Sequence, residues 1–145
     1  MHLPRAMTGW VPEHHRLVFG QVVRFGVVGT LGFLVDSAVL LAAMALGAGP
    51  YGGRVVSYLA AATTTWAANR AWTFRGAGGG AAHQQWVRFL LVNLVGFALN
   101  YGAYALLVAF VPVVATYPLL GVAAGALVGM TGNFLLSRRY VFAVA

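Results

Sequence analysis

The chain has 145 residues, of which 61% are hydrophobic and only 8% charged. Soluble domains carry about 45–50% apolar residues, and so few charges cannot cover a water-facing surface, so the excess apolar area must face lipid. The net charge of +7 comes from nine arginines placed at the ends of apolar runs, a membrane pattern rather than a nucleic-acid one, and the lack of cysteine excludes disulfides and thiolate metal sites.

Residues 1–20 are predicted to form a cytoplasmic arm, with an interfacial helix from His14 onward. The arm lacks the apolar core of a signal peptide, so the first spanning helix is expected to act as the insertion signal. Glu13, His14 and His15 are adjacent and cannot all face one ion from a helix, so no metal is expected. No cofactor is expected either.

The first spanning helix is predicted over about 21–46. Its apolar core, Phe25 to Leu46, is twenty-two residues with Asp36 as the only charge. At 1.5 Å per residue it spans about 33 Å, against a bilayer core of about 30 Å. Gly47 to Pro50 makes a turn, and a second helix follows over about 51–69. Arg70 to Arg75 closes it with an aromatic, basic tail. Residues 76–85 form a Gly-rich cytoplasmic loop. It is no phosphate-binding loop, because neither a strand before it nor Gly-Lys-Ser/Thr after it is present. A third helix is predicted over about 86–110, a loop over 111–116, and a fourth helix over about 117–136.

Eight of the nine arginines fall on one side of this four-span arrangement, and Arg54 alone on the other. The positive-inside rule then places both termini in the cytoplasm, in a multi-pass protein of the inner, cytoplasmic membrane.

The second half echoes the first. A shift of 64 carries Arg24-Phe25 onto Arg88-Phe89, Gly32-Phe33 onto Gly96-Phe97, and Asp36 onto Asn100. A shift of 68 carries Arg70-Ala71-Trp72-Thr73-Phe74 onto Arg138-Arg139-Tyr140-Val141-Phe142. The same shift aligns Gly53, Ser57, Ala61, Thr65 and Asn69 with Gly121, Gly125, Gly129, Asn133 and Ser137. Such small-residue stripes let membrane helices approach closely. The expected fold is an all-α polytopic membrane protein: one domain of four helices, built from two parallel helical-hairpin repeats, 21–75 and 86–145.

Asp36 has two readings. It is a hydrogen-bonding residue between helices, contributing about 0.6–2 kcal/mol, or a sugar or proton site, since intramembrane acids cost about 2.5–3.5 kcal/mol and mark function. No basic residue is expected at its depth, and Asp36 is expected to meet Asn100 near the bundle centre. Asn69, Asn93 and Asn133 complete the polar set, with Thr64, Thr65 and Thr131 nearby. Arg70 and Arg138 sit at equivalent repeat positions beside Trp72 and Tyr140, with Arg24 and Arg88 at the same rim. Guanidinium forks suit phosphate. No nucleophile with a base beside it, and no carboxylate pair, suggests an enzyme.

These residues resemble the GtrA-like family of small membrane proteins. The resemblance rests on Arg24-Phe25-x-x-x-Gly29, Gly32 to Asp36, Asn69-Arg70-Ala71-Trp72-Thr73-Phe74, Arg88-Phe89, and Asn133 to Phe142. It implies a four-span protein of cell-surface polysaccharide synthesis that moves a polyprenyl-phosphate-linked sugar, with a glycosyltransferase as partner. Membrane lipid is expected at the arginine-rich rim, and a second copy of the chain because four short helices make a thin bundle. The resemblance equally implies a non-transporting scaffold for such an enzyme. A small proton-coupled exporter using Asp36 is the third reading, and the steep charge bias opposes it.

Overall fold

The computed structural model describes residues 12–78 and 80–143. The first eleven residues of the expected arm lie outside the described residues. Five α-helices follow in order: α1 Glu13–Ala45, α2 Pro50–Ala68, α3 Ala82–Phe110, α4 Pro112–Thr116 and α5 Pro118–Leu136. No strand occurs among the described residues.

Local chemistry sets the ends. Proline opens α2, α4 and α5 in the first turn, where its missing N–H is not needed. Past Leu46, Gly47 turns left-handed (φ 93°). The Ala48 N–H then donates to Ala43 O at 2.9 Å and the Gly47 N–H to Met44 O at 3.1 Å, a Schellman closure of α1.

Two of the predicted boundaries move. α1 begins at Glu13, so the latter part of the expected arm is continuous with the first helix. Nothing between Glu13 and Gln21 breaks a helix, since Gly20 alone costs only about 1 kcal/mol. α3 begins at Ala82, inside the expected loop. The loop before α5 winds into the short α4.

α2 and α5 both end in a π-helical turn, Asn69–Thr73 and Ser137–Val141. The Phe74 N–H reaches back to Asn69 O at 2.8 Å, and the Phe142 N–H to Ser137 O at 2.9 Å. The extra residue in each turn shifts the side-chain register. Phe74 and Phe142 thereby point inward, while Trp72 and Tyr140 remain exposed.

The helices pair as two hairpins. α2 packs along α1, and α5 along α3. The small residues permit the close approach. A Cβ on Gly125 or Gly129 would sit 2.6 or 2.7 Å from atoms of Asn100, and one on Gly121 3.0 Å from Tyr104. Gly53 and Ser57 are buried likewise, Gly53 against Leu40 and Met44. Ala61 and Thr65 are half-buried.

Large apolar side chains cover the outside, Phe33, Leu41, Leu94, Phe110 and Leu119 among them. The chain is a membrane protein: the runs Glu13–Ala45, Ala82–Phe110 and Leu119–Val141 are long and apolar enough to cross a bilayer, by length and composition. α2 is not among them. Arg54, Ser57 and Thr63 to Thr65 lower its apolarity, and it lies along α1.

The buried core sits at one end, where Phe74, Phe89, Val92, Phe134, Val141 and Phe142 cluster and Phe25 and Trp66 pack against them. The Phe74 and Phe142 rings stack at 4.6 Å. Phe25 meets Phe74 edge-on at 6.3 Å, and Phe89 meets Phe142 edge-on at the same 6.3 Å. Such aromatic pairs contribute about 0.5–1.5 kcal/mol beyond their buried area. This layer joins the two hairpins.

Candidate functional site

Two glutamines complete the junction. Arg70, at the end of α2, donates from Nη1 to Gln85 Oε1 at 3.0 Å, near the start of α3. Arg138, at the end of α5, donates from Nε to Gln21 Oε1 at 2.9 Å on α1. Each arginine thus ties its hairpin to the first helix of the other. Trp66 Nε1 shares Gln85 Oε1 at 3.1 Å, and the Arg70 guanidinium lies 5.8 Å from the Trp66 ring centre. Gln21 and Gln85 are both buried and stand 64 residues apart. The shift of 64 that aligns Arg24 with Arg88 therefore also aligns these two, and the signal lay in the sequence unread. The Gly-rich turn also contributes: Gly78 is left-handed (φ 81°), and a Cβ there would press on Gln85 and the Phe142 backbone.

Between the hairpins, beyond the aromatic layer, lies a groove of about 580 Å³. Asn93, Asn100 and Asn133 line it together with Thr65, Tyr58 and Thr30, and Phe25 and Phe89 are at its floor. The small residues Gly26, Gly29, Gly96 and Gly129 widen it. A further cavity of about 570 Å³ shares Tyr58 and Phe97 with the groove and reaches Arg54. The two cavities are neighbours, one next to the aromatic layer and the other beside the outlying arginine.

Of the five polar residues expected to form a sugar or proton site, the groove gathers Asn93, Asn100 and Asn133. Asn93 Nδ2 donates to Phe89 O at 2.8 Å. The Asn133 carboxamide fills the space a Gly96 side chain would need, and its Oδ1 is buried without a hydrogen-bond partner. Asn69 is placed elsewhere: it is buried in the π-turn, where its Oδ1 accepts from Thr73 Oγ1 at 2.7 Å. Thr64 and Thr131 return their hydroxyls to their own helices, to Ala60 O and Leu127 O.

Asp36 corrects the expectation most. A basic group does reach it: Arg54 Nη1 donates to Asp36 Oδ2 at 2.5 Å. The two residues are 18 apart and face each other across the α1–α2 turn. No hydrogen bond joins Asp36 to Asn100. The guanidinium stem lets Arg54, anchored one turn into α2, lie back along α1 to the acid. The pair is partly screened, with side-chain exposures of 57% for Arg54 and 20% for Asp36. Asp36 Oδ1 is buried without a partner.

Arg24 lies 5.8 Å from the Trp72 ring centre and donates a long 3.5 Å hydrogen bond to Trp72 O. Arg88 is exposed. Among the described residues no group of His, Asp and Glu is arranged to hold a metal.

None of the curated proteins compared with the chain matches it. The family model of the GtrA/DPMS transmembrane domain matches residues 24–142, a span that takes in the aromatic layer, the Arg70–Gln85 tie and the whole groove. The match starts at Arg24 and stops at Phe142, the first and last residues of the motifs that flank the hairpins, so the chain belongs to the GtrA/DPMS transmembrane-domain family, whose membership points to polysaccharide synthesis with polyprenyl-phosphate sugars.

Proposed function

We propose that this protein moves a polyprenyl-phosphate-linked sugar across the cytoplasmic membrane. The groove between the hairpins carries the sugar, and the isoprenoid tail stays in lipid. The observation that supports this most is the set of three asparagines converging on one 580 Å³ groove in a chain so poor in polar residues. Carboxamides donate and accept, so they can replace water around sugar hydroxyls without adding charge. The neighbouring cavity beside the Arg54–Asp36 pair extends the groove toward the far end.

In this reading α2 is the fourth crossing, carried by its packing on α1. Both termini are cytoplasmic, on the side of the arginine-rich end. The chain is a duplicated hairpin, a reading supported by the π-turns at Asn69 and Ser137, 68 residues apart, and by the reciprocal arginine–glutamine ties. A polyprenyl-phosphate glycosyltransferase makes or uses the substrate, and two copies of so thin a bundle work together. The protein itself has no catalytic role. A scaffold role is less favoured, because Gly121, Gly125 and Gly129 are taken up by α3 within the chain. An exporter role is less favoured because Asp36 is ion-paired.

The test is reconstitution of the purified chain in liposomes holding a labelled polyprenyl-phosphate sugar. Faster transbilayer movement than in protein-free liposomes is expected. An equal rate would overturn the proposal.

A further inference from the structure

The bonds that join the two hairpins lie at one end. Arg70 meets Gln85, Arg138 meets Gln21, and Trp86 Nε1 donates to Thr63 Oγ1 at 3.0 Å. The ring contacts across the junction, Phe25 with Phe134 at 5.6 Å and Phe74 with Phe142 at 4.6 Å, belong to the aromatic layer at that same end. Beyond the layer each hairpin is packed on itself. Gly32 lies against Thr65 within the first, and Gly121, Gly125 and Gly129 lie against Tyr104 and Asn100 within the second. Among the described residues, α2 against α3 is the one close pairing of long helices across the junction. The hairpins are thus two firm bodies clasped at one end, with the groove between them beyond the clasp.

Two matched pairs of phenylalanine mark the groove. Phe25 and Phe89 are 64 residues apart, and so are Phe33 and Phe97. All four line the groove. Eight residues separate the pairs along each helix, about 12 Å. Their surroundings are opposite. Phe89 is 2% exposed and Phe25 is half-buried in the aromatic layer, whereas Phe33 and Phe97 are 68% and 66% exposed. Phe97 stacks at 6.4 Å on Tyr101 of its own helix instead of meeting a ring across the groove. Repeats that rock against each other present such equivalent pairs, one shut and one apart, at each extreme of the motion. Packed helices are stiff, so a tilt that parts one pair brings the other together.

We propose that Phe25 and Phe89, with the aromatic layer, form one gate of the groove, that Phe33 and Phe97 form the other, and that the hairpins rock so that the two gates are never open together. This deepens the transport reading above and rests on it. The observed arrangement is shut at the arginine-rich end and open at the other. The Arg70–Gln85 and Arg138–Gln21 ties hold it there and part when it reverses. Hydrogen bonds suit that use, because the freed guanidinium and carboxamide groups regain water once the layer opens.

The chain has no cysteine, so two introduced thiols in the full chain can be spin-labelled selectively. Trp72→Cys with Tyr140→Cys reports on the tied ends, and Leu41→Cys with Leu106→Cys on the far ends; all four side chains are exposed. Distances are read by pulsed electron resonance in phosphatidylcholine nanodiscs. Gln21→Leu with Gln85→Leu removes both ties. It is expected to raise the population with separated tied ends about tenfold and to shorten the far-end distance in step. Phe33→Ala with Phe97→Ala, which touches no buried side chain, is expected to lower that population. Tied ends that separate while the far ends stay unchanged are local fraying and overturn the rocking, as does the lack of any shift in both variants. In the liposome assay, the thiols of the Trp72→Cys, Tyr140→Cys variant are bridged with the shortest bifunctional reagent that spans them. The bridge is expected to stop lipid movement, and capping each thiol singly to leave it unchanged. Equal movement with the bridge in place overturns the gate and leaves transport standing. No movement by the unbridged protein overturns transport instead, and the distances still decide the rocking.

Discussion

Arg70 donates to the buried Gln85 at 3.0 Å, and through this bond the end of one hairpin is held on the first helix of the other. Arg138 and Gln21 make the reciprocal tie at 2.9 Å. Gln85→Leu removes one oxygen that serves both Arg70 and Trp66. Leaving such donors unpaired costs about 1–3 kcal/mol. The purified variant should show a lower thermal midpoint, and a double-mutant cycle with Arg70→Met should show coupling. Additive effects in the cycle would contradict the tie.

Phe74 and Phe142 stack at 4.6 Å in the one cluster that joins all four long helices. Either residue changed to alanine should destabilise by about 3–5 kcal/mol. The double variant should cost less than the sum, because the second substitution removes an already broken contact. Detergent-unfolding curves of the three variants test this.

Arg54 and Asp36 form the ion pair among the described residues. Arg54→Ala leaves a carboxylate whose Oδ1 is already buried and unpartnered. Breaking a buried pair costs about 3–5 kcal/mol, and exposed pairs are worth about 0–1. For this half-screened pair a loss of about 1–3 kcal/mol is expected. Adding Asp36→Asn should recover stability. A double variant no better than Arg54→Ala would show that the pair is not coupled.

Glycines on the two sides of the groove should behave differently. A Cβ on Gly29 meets nothing within 4 Å, whereas one on Gly129 meets Asn100 at 2.7 Å and Gly96 O at 2.9 Å. Gly129→Leu should therefore destabilise the α3–α5 hairpin, and overpacking of this kind costs about 1–3 kcal/mol. Gly29→Leu should keep its thermal midpoint and instead fill the groove. In the liposome assay it should slow sugar-lipid movement at least tenfold. Full transport by stable Gly29→Leu would exclude the groove as the path.

The membrane class, the helix pairs and the lopsided arginines were legible without coordinates. They depend on run length, local period and composition, which neighbouring residues set between themselves. The aromatic endings at Phe74 and Phe142 could be matched by a shift of 68, but their inward turn could not, because it needs the added residue of a π-turn. The partner of Asp36 was also hidden. Arg54 reads as a lone charge past the first turn, and only the phase of two packed helices brings it back to the acid. Likewise Arg70 and Arg138 read as phosphate ligands at matched positions. That each guanidinium instead meets a glutamine of the other hairpin depends on how the helices pack. Those are long-range outcomes of packing: contacts between distant segments are chosen by the whole bundle, and no local pattern carries them.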